Sequence, residues 1–408
     1  MDRIVLAYSG GLDTSVAIPW LIEQSGAEVV AVTLDLGQGT ELAGVRERAL
    51  ALGAVRAHVV DAREEFAREY VLPALKAGAI YEDRYMLATA LGRPLIAKYL
   101  VRIAEMEGAA AIAHGCTGKG TDQVRLEVSI RALSPAFEIV GPTRTWGMTR
   151  ADEIEFARSR ALPVPVTADH PYSIDTNLWG RSIQYGVLED PWQEPPETIY
   201  AITKAPAECP DAPAYVEIAF ERGVPVAVNG VGMLLVELIA SLETIAGAHG
   251  VGRCDMVENR LVGIKSREVY EAPAATVLHL AHRELERFVI TRELDRLTHD
   301  LARAYDDLVY NGLWFTPTRD AIDAFVESVQ ARVTGTVRLR LFKGDCRVVG
   351  RTSPFALYDP ALATYGSGDR FDHASAEGFT RIWGLPVETA LRTARLAAAD
   401  TAARRERG

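Results

Sequence analysis

Cysteine is scarce in this chain, with four among 408 residues: Cys116, Cys209, Cys254 and Cys346. They form no CxxC pair and no Cys/His cluster, which excludes a zinc ribbon or a redox motif and argues against a disulfide scaffold. Basic charge is also short. Lys and Arg number 44 against 55 Asp and Glu, a formal net charge of −11. Neutralising a polyanion needs basic surface, so nucleic-acid and anionic-membrane partners are not expected. A small anionic ligand in a local pocket stays open. No uninterrupted apolar run reaches the roughly 18 residues of a membrane span. The opening MDRIVLAYSGG has no apolar core behind a basic stretch, so no signal peptide is expected and a cytoplasmic setting is. Internal repeats and low-complexity tracts are missing too. A hydrophobic fraction of 48% supplies a normal core. At roughly 100–200 residues per domain, the length suggests two or three domains.

The first third alternates short apolar runs with helical patterns. Runs at 4–7, 28–35, 57–60, 109–113 and 137–140 read as strands. Stretches at 15–24, 41–52 and 94–107 read as helices, with Gly26, Gly53 and Gly108 as stops, and a long helical region is expected between the third strand and Pro94. This alternation predicts a parallel sheet covered by helices on both faces. Prolines then crowd residues 163–213, which read as a domain junction with an irregular, ordered segment. From Ala214 the pattern becomes α+β. Hairpins are expected around Arg222-Gly223 and across VRLRLF–KGD–CRVVG. Helices are expected at 233–246, 274–309 and 319–332, with a helical tail over 386–408.

Ligands bind such sheets at the carboxyl ends of the strands, where two glycine-rich turns fall, at 9–15 and 115–121. In Ser9-Gly10-Gly11-Leu12-Asp13-Thr14-Ser15 the glycines let the backbone turn tightly and approach a ligand. The helix that follows points unpaired N–H groups and its positive dipole end at the same space, a nest suited to pyrophosphate. Asp13 suits phosphate only through a cation, so it reads as a Mg²⁺ contact. The same turn also serves as a bare helix cap. It is not a Walker A loop, which needs GxxxxGK(S/T).

SGGLDTS after a first strand resembles the PP-loop ATP pyrophosphatases. The likeness narrows when AYSGGLDTS, YEDRYMLATALGRPLIAK, AHGCTGKGTDQVR, PYSIDTNLWGRS, LEDPW, HGVGRCDMVENRLVGIKSREVYE and AEGFTRIWGLP are taken together. In this order they resemble the argininosuccinate synthase family, from Ile4 to about Pro386. That resemblance implies an α/β fold: a PP-loop nucleotide-binding domain, adenine nucleotide alpha hydrolase-like, over 1–165. An α+β synthetase domain over 166–365 and a C-terminal oligomerisation tail over 366–408 follow. It implies an AMP-forming ligase that joins citrulline to aspartate with ATP and Mg²⁺, working as a homotetramer on small molecules.

Carried over by motif, the resemblance implies an ATP loop at Ala7, Tyr8, Ser9, Gly10, Gly11, Leu12, Asp13, Thr14 and Ser15. Thr33 would lie near the adenine and Gly115 near the nucleotide. Thr117, Thr121 and Asp122 would hold aspartate. Tyr85, Thr121, Arg125, Ser173, Ser182, Glu258 and Tyr270 would hold citrulline. Arg125 suits its α-carboxylate and Glu258 its α-ammonium. Asp13, Lys119 and Arg93 would serve catalysis, the two cations by neutralising anions. The chain departs from the family on the amino-acid side. GCTGKGTDQVRLE stands where the family usually reads GATGKGNDQVRFE, so Thr121 replaces an Asn and Cys116 an Ala. Gln184 replaces a frequent Glu. These changes keep a second reading open, a ligase of the same fold with another acceptor or amine.

Overall fold

The computed structural model describes residues 2–163 and 172–405. The domain boundary expected at 165/166, with Pro165 and Pro171, lies outside the described residues. The chain divides into two compact units, Met1–Phe355 and Ala356–Gly408.

The first unit opens with five parallel strands: β1 (Arg3–Ala7), β2 (Glu28–Asp35), β3 (Arg56–Asp61), β4 (Ala111–His114) and β5 (Glu138–Val140). Their order is β3-β2-β1-β4-β5. Helices cover both faces, so central strands are apolar throughout: Ile4, Val5 and Leu6 are buried, and so is all of Ala111–His114. The order reverses between β1 and β4, which pair through Ile4–Ala7 and Ala111–His114. Both glycine turns leave this switch point.

α1 (Leu12–Ser25) follows β1 and stops at Gly26, whose φ of +66° lets its N–H reach the Ile22 carbonyl. α2 (Ala88–Glu107) begins a turn and a half before the expected start at Pro94, which sits inside it. Its first turn is held by Tyr85, whose hydroxyl accepts from the N–H groups of Thr89 (3.0 Å) and Ala90 (3.3 Å). α3 (Asp122–Leu133) follows the second glycine turn, and α4 (Arg150–Ser159) starts in a capping box at Thr149 and Asp152.

The segment expected to be irregular contains a hairpin, β6 (Ser173–Asn177) and β7 (Gly180–Gln184). Asn177 and Trp179 tie it to the start of α2 through the carbonyls of Ala88 (2.8 Å) and Met86 (2.9 Å). A second sheet has β8 (Ala214–Glu221), β9 (Val224–Val228) and β10 (Val231–Gly232), joined by β13 (Gly335–Phe342) and β14 (Asp345–Thr352). Between these come β11 (Arg253–Asn259) and β12 (Lys265–Glu271), which form a third, antiparallel sheet with the hairpin, ordered β11-β12-β7-β6. The sequence reading missed this sheet. Glu258, Glu268 and Glu271 are buried on its strands, so the usual apolar alternation is broken.

α5 (Leu235–Ala248), α6 (Pro273–Val289), α7 (Arg292–Tyr310) and α8 (Pro317–Gln330) complete the unit. The single helix expected over 274–309 is two. Thr291 takes an extended conformation and its hydroxyl accepts from Leu294 N–H, which starts α7 afresh.

The second unit holds a short helix, Pro360–Ala363, and α9 (His373–Arg405). α9 starts well before the expected 386, because Asp372 caps it through the N–H groups of Ala374 and Ser375. None of its residues is buried, and Phe379, Ile382 and Trp383 are each more than 60% exposed. Among the described residues no helix is long and apolar enough to cross a membrane.

Candidate functional site

The turn after β1 is held by its own hydroxyls. Ser9 N–H donates to Thr14 Oγ1 at 3.3 Å, Gly11 N–H donates to Ser9 Oγ at 3.3 Å, and the two hydroxyl oxygens are 3.0 Å apart. Gly10 has a φ of +82°, and a Cβ there would lie 3.1 Å from Val45. Arg48 donates to the Gly10 carbonyl at 3.0 Å, so that carbonyl faces away from an incoming anion. Gly11 caps α1 without a side-chain acceptor, leaving the first N–H groups of the helix directed outward. Tyr8 and Ser15 hydroxyls meet at 3.2 Å beneath the turn. Thr33 is buried and its hydroxyl donates to the Tyr8 carbonyl at 2.7 Å, which props the strand end.

The second turn packs against the first. A Cβ on Gly115 would lie 2.8 Å from the Thr14 methyl, so glycine is required by close approach. Below it His114 is fully buried. Its Nδ1 accepts from Cys116 N–H at 3.2 Å, which leaves Nε2 to donate to Glu127 at 3.1 Å. The Cys116 thiol is pushed up to about 12 by burial, then by Asp122. Its side chain, partly buried, packs against the hydrophobic core. Thr117 and Lys119 are exposed, and Lys119 forms no ion pair among the described residues.

Asp122 opens α3. Its Oδ2 accepts from Arg93 at 2.8 Å and its Oδ1 from Arg125 at 2.7 Å. Burial alone would raise this carboxyl, but the two guanidinium groups outweigh it and hold it far below the usual carboxylate range. Arg93 also contacts Asp175 on β6 through the same Nη2, and its buried Nε has no hydrogen-bond partner among the described residues. Arg125 donates Nε–H to the Tyr310 carbonyl at 2.7 Å and lies 4.5 Å over the Tyr310 ring. Its Nη2 makes no hydrogen bond within the described chain.

A cluster of tyrosines and one carboxylate lies next to these arginines. Glu258 accepts from Tyr270 on one oxygen and from Tyr310 on the other, each at 2.7 Å. Tyr85 stacks on Tyr270 (4.2 Å), and Tyr81 on Tyr310 (3.6 Å). Thr121 is buried, and its hydroxyl has no hydrogen-bond partner among the described residues. Ser182 sits 3.3 Å from the Thr89 hydroxyl, while Ser173 makes no side-chain hydrogen bond among the described residues.

Geometry adds residues that sequence reasoning left out: Tyr310, Asp175, Arg260, Glu268 and Glu153. Tyr310 ends α7, a boundary blurred when 274–309 is read as one helix. Glu153 on α4 is buried beside Asp13, and its carboxyl is pushed up to about 8 by burial and by the Asp13 charge. Among the described residues no group of three or more His, Cys, Asp or Glu is placed to hold a metal ion. Asp13 beside the phosphate nest suits Mg²⁺, which takes few protein ligands and shares substrate phosphates.

Comparison with known families gives two matches. Residues 3–163 match the family model "Arginosuccinate synthase N-terminal HUP domain", and residues 172–390 match "Arginosuccinate synthase C-terminal domain". The argininosuccinate synthase of Symbiobacterium thermophilum is 57% identical, over 95% of this chain and 96% of that protein. The one from Gloeobacter violaceus is 56% identical over 94% and 97%. The one from Geobacillus thermodenitrificans is 55% identical over 95% of each.

Proposed function

The chain belongs to the argininosuccinate synthase family, and from that premise we propose how its residues share the work. The activity is ATP-dependent carbon–nitrogen ligation in arginine biosynthesis. Citrulline, aspartate and ATP become argininosuccinate, AMP and pyrophosphate. A ureido carbon is a poor electrophile because its nitrogens donate into the carbonyl. Its oxygen therefore first attacks the α-phosphorus of ATP and pyrophosphate departs. The aspartate amine then attacks the activated carbon, AMP leaves with the ureido oxygen, and the amine proton is lost.

The turn at 9–15 takes the phosphates on outward N–H groups and hydroxyls, and Gly115 closes against it. Asp13, with Glu153 beside it, would hold Mg²⁺, which neutralises phosphate charge when bound. Thr33 supports the strand end near the adenine. Glu258 receives the citrulline α-ammonium between its two tyrosines, and Arg125 Nη2 its carboxylate. Tyr85, Ser173 and Ser182 border the same ligand. Asp122, Thr117 and the idle hydroxyl of Thr121 face aspartate, with Lys119 as the available cation. Arg93 orients Asp122 and adds positive charge to the same site. The observation that carries this division is the Gly115–Thr14 contact, which sets the nucleotide turn against the turn leading into Asp122. Most of the catalytic effect is positioning and charge stabilisation.

The relatives cover nearly the full chain, and nothing favours a different acceptor. A homotetramer is part of the proposal, supported by the uncovered apolar side chains of α9. So is a cytoplasmic setting, in keeping with four cysteines that are all unpaired. The test is pyrophosphate release with citrulline, aspartate and ATP, each omitted in turn. Full turnover only with all three is expected. Turnover that requires a different amino acid in place of aspartate would overturn the assignment.

A further inference from the structure

The turn between β11 and β12 carries Arg260, which the ligation chemistry above does not use. Its side chain is only 9% exposed. Its backbone is fixed by the turn, N–H to the Ile264 carbonyl at 2.9 Å and carbonyl from Gly263 N–H at 2.9 Å. The guanidinium reaches three acceptors on three segments. Nη2 donates to Glu268 on β12 and, at 2.7 Å, to the Gln184 amide oxygen on β7. Nη1 donates to the main-chain carbonyl of Lys119 at 3.3 Å. Two acceptors belong to the antiparallel sheet. The third belongs to the glycine turn after β4.

That turn has few other holds. Cys116 N–H goes to His114, the Cys116 carbonyl accepts from Thr143, the Gly118 carbonyl from Gln123, and Gly120 N–H goes to Thr117. All of these partners lie within the parallel-sheet layer. Among the described residues, Arg260 gives the only hydrogen bond from the antiparallel sheet to residues 115–120.

We infer that Arg260 is a positioning residue. It holds the 115–120 turn, and with it Thr117 and Lys119, at the working distance from the citrulline pocket built on its own sheet. A planar fork offers fixed N–H groups on separate nitrogens and bridges acceptors that lie apart, whereas a lysine ammonium directs its three donors from one atom. Glu268 supplies the countercharge that lets the guanidinium stay buried. Gln184 is a neutral acceptor, so it orients the fork without drawing it off Lys119. The functional side of this inference rests on the aspartate role proposed for Thr117; the mechanical side does not.

The experiment uses the full chain as wild type, Arg260→Lys, and the double variant Arg260→Gln with Glu268→Gln. The double variant removes both buried charges together, so neither is left unpaired. Backbone hydrogen exchange is followed in the unliganded protein, and steady-state kinetics are measured for each substrate. A hydrogen bond from a charged donor is worth at least about tenfold. Amides at 115–120 should therefore exchange about tenfold faster in both variants, with those at 9–15 unchanged. The KM for aspartate should rise about tenfold and the KM for ATP should stay within about twofold. Wild-type exchange at 115–120 would overturn the inference. So would exchange accelerated evenly along the chain, the mark of a merely structural role. Faster exchange confined to the turn, in a protein that does not use aspartate, would support the hold and sink the aspartate reading.

Discussion

Asp122→Asn is the sharpest perturbation of the ionic core of the site. The carboxylate takes Arg93 on one oxygen and Arg125 on the other, at 2.8 and 2.7 Å. An amide keeps the shape, loses the charge and turns an NH₂ group toward a guanidinium. Two hydrogen bonds to charged groups at roughly 1.5–3 kcal/mol each set the upper bound. Two facts reduce it. Arg93 keeps Asp175, and the Asp122 side chain is 28% exposed, so solvent screens part of the interaction. A loss of about 2–3 kcal/mol in folding stability at neutral pH is expected. The sign with pH follows from the depressed carboxyl. Its contribution is complete above the unfolded value, near 4, and disappears as pH falls through the lower folded value. Urea denaturation followed by tryptophan fluorescence should show a constant gap between wild type and variant from about pH 5 to 8, narrowing on acidification. A variant as stable as wild type at pH 7, or a gap that widens in acid, would refute the reasoning.

Other perturbations separate the remaining roles. Asp13→Ala should abolish Mg-ATP turnover while circular dichroism and melting stay native; near-normal kcat would remove the metal role. Thr121→Val deletes a buried hydroxyl that has no partner among the described residues, so stability should hold while the KM for aspartate rises about tenfold. An unchanged KM would show that the hydroxyl does not meet substrate. Glu271 is fully buried and accepts from Arg181, Thr203 Oγ1 and the N–H groups of Ala201, Ile202 and Thr203. Glu271→Ala should cost roughly 3–5 kcal/mol, read as a lowered melting temperature, and a native melt would contradict that bonding. Deleting residues 373–408 should reduce the assembly size in light scattering; an unchanged mass would exclude α9 as the contact.

The parallel sheet was legible because its central strands β1, β2 and β4 are buried and read as apolar runs, with glycines stopping the helices between them. The nucleotide turn was legible because glycine and hydroxyl residues cluster at a strand end. The antiparallel sheet that carries Glu258 and Tyr270 was not. Its inward positions hold acids paired to arginines and tyrosines, and such positions look like solvent-facing ones in sequence. Pro94 misled for a related reason. A proline normally marks the first turn of a helix, but α2 is started upstream by the Tyr85 hydroxyl, a contact no local pattern encodes. The break between α6 and α7 falls at Thr291, a residue type that caps helices, inside a span read as one helix. Long-range partners such as Arg260 with Lys119, 141 residues apart, have no local signature at all.

The most direct test of the chemistry is to follow the ureido oxygen. Citrulline carrying heavy oxygen at that position is turned over with ATP and aspartate, and the AMP is recovered for mass spectrometry. Attack by that oxygen on the α-phosphorus should leave one heavy oxygen in every AMP formed and none in pyrophosphate. Unlabelled AMP, with the heavy oxygen lost elsewhere, would contradict an adenylated citrulline and with it the division of roles around Gly115 and Thr14.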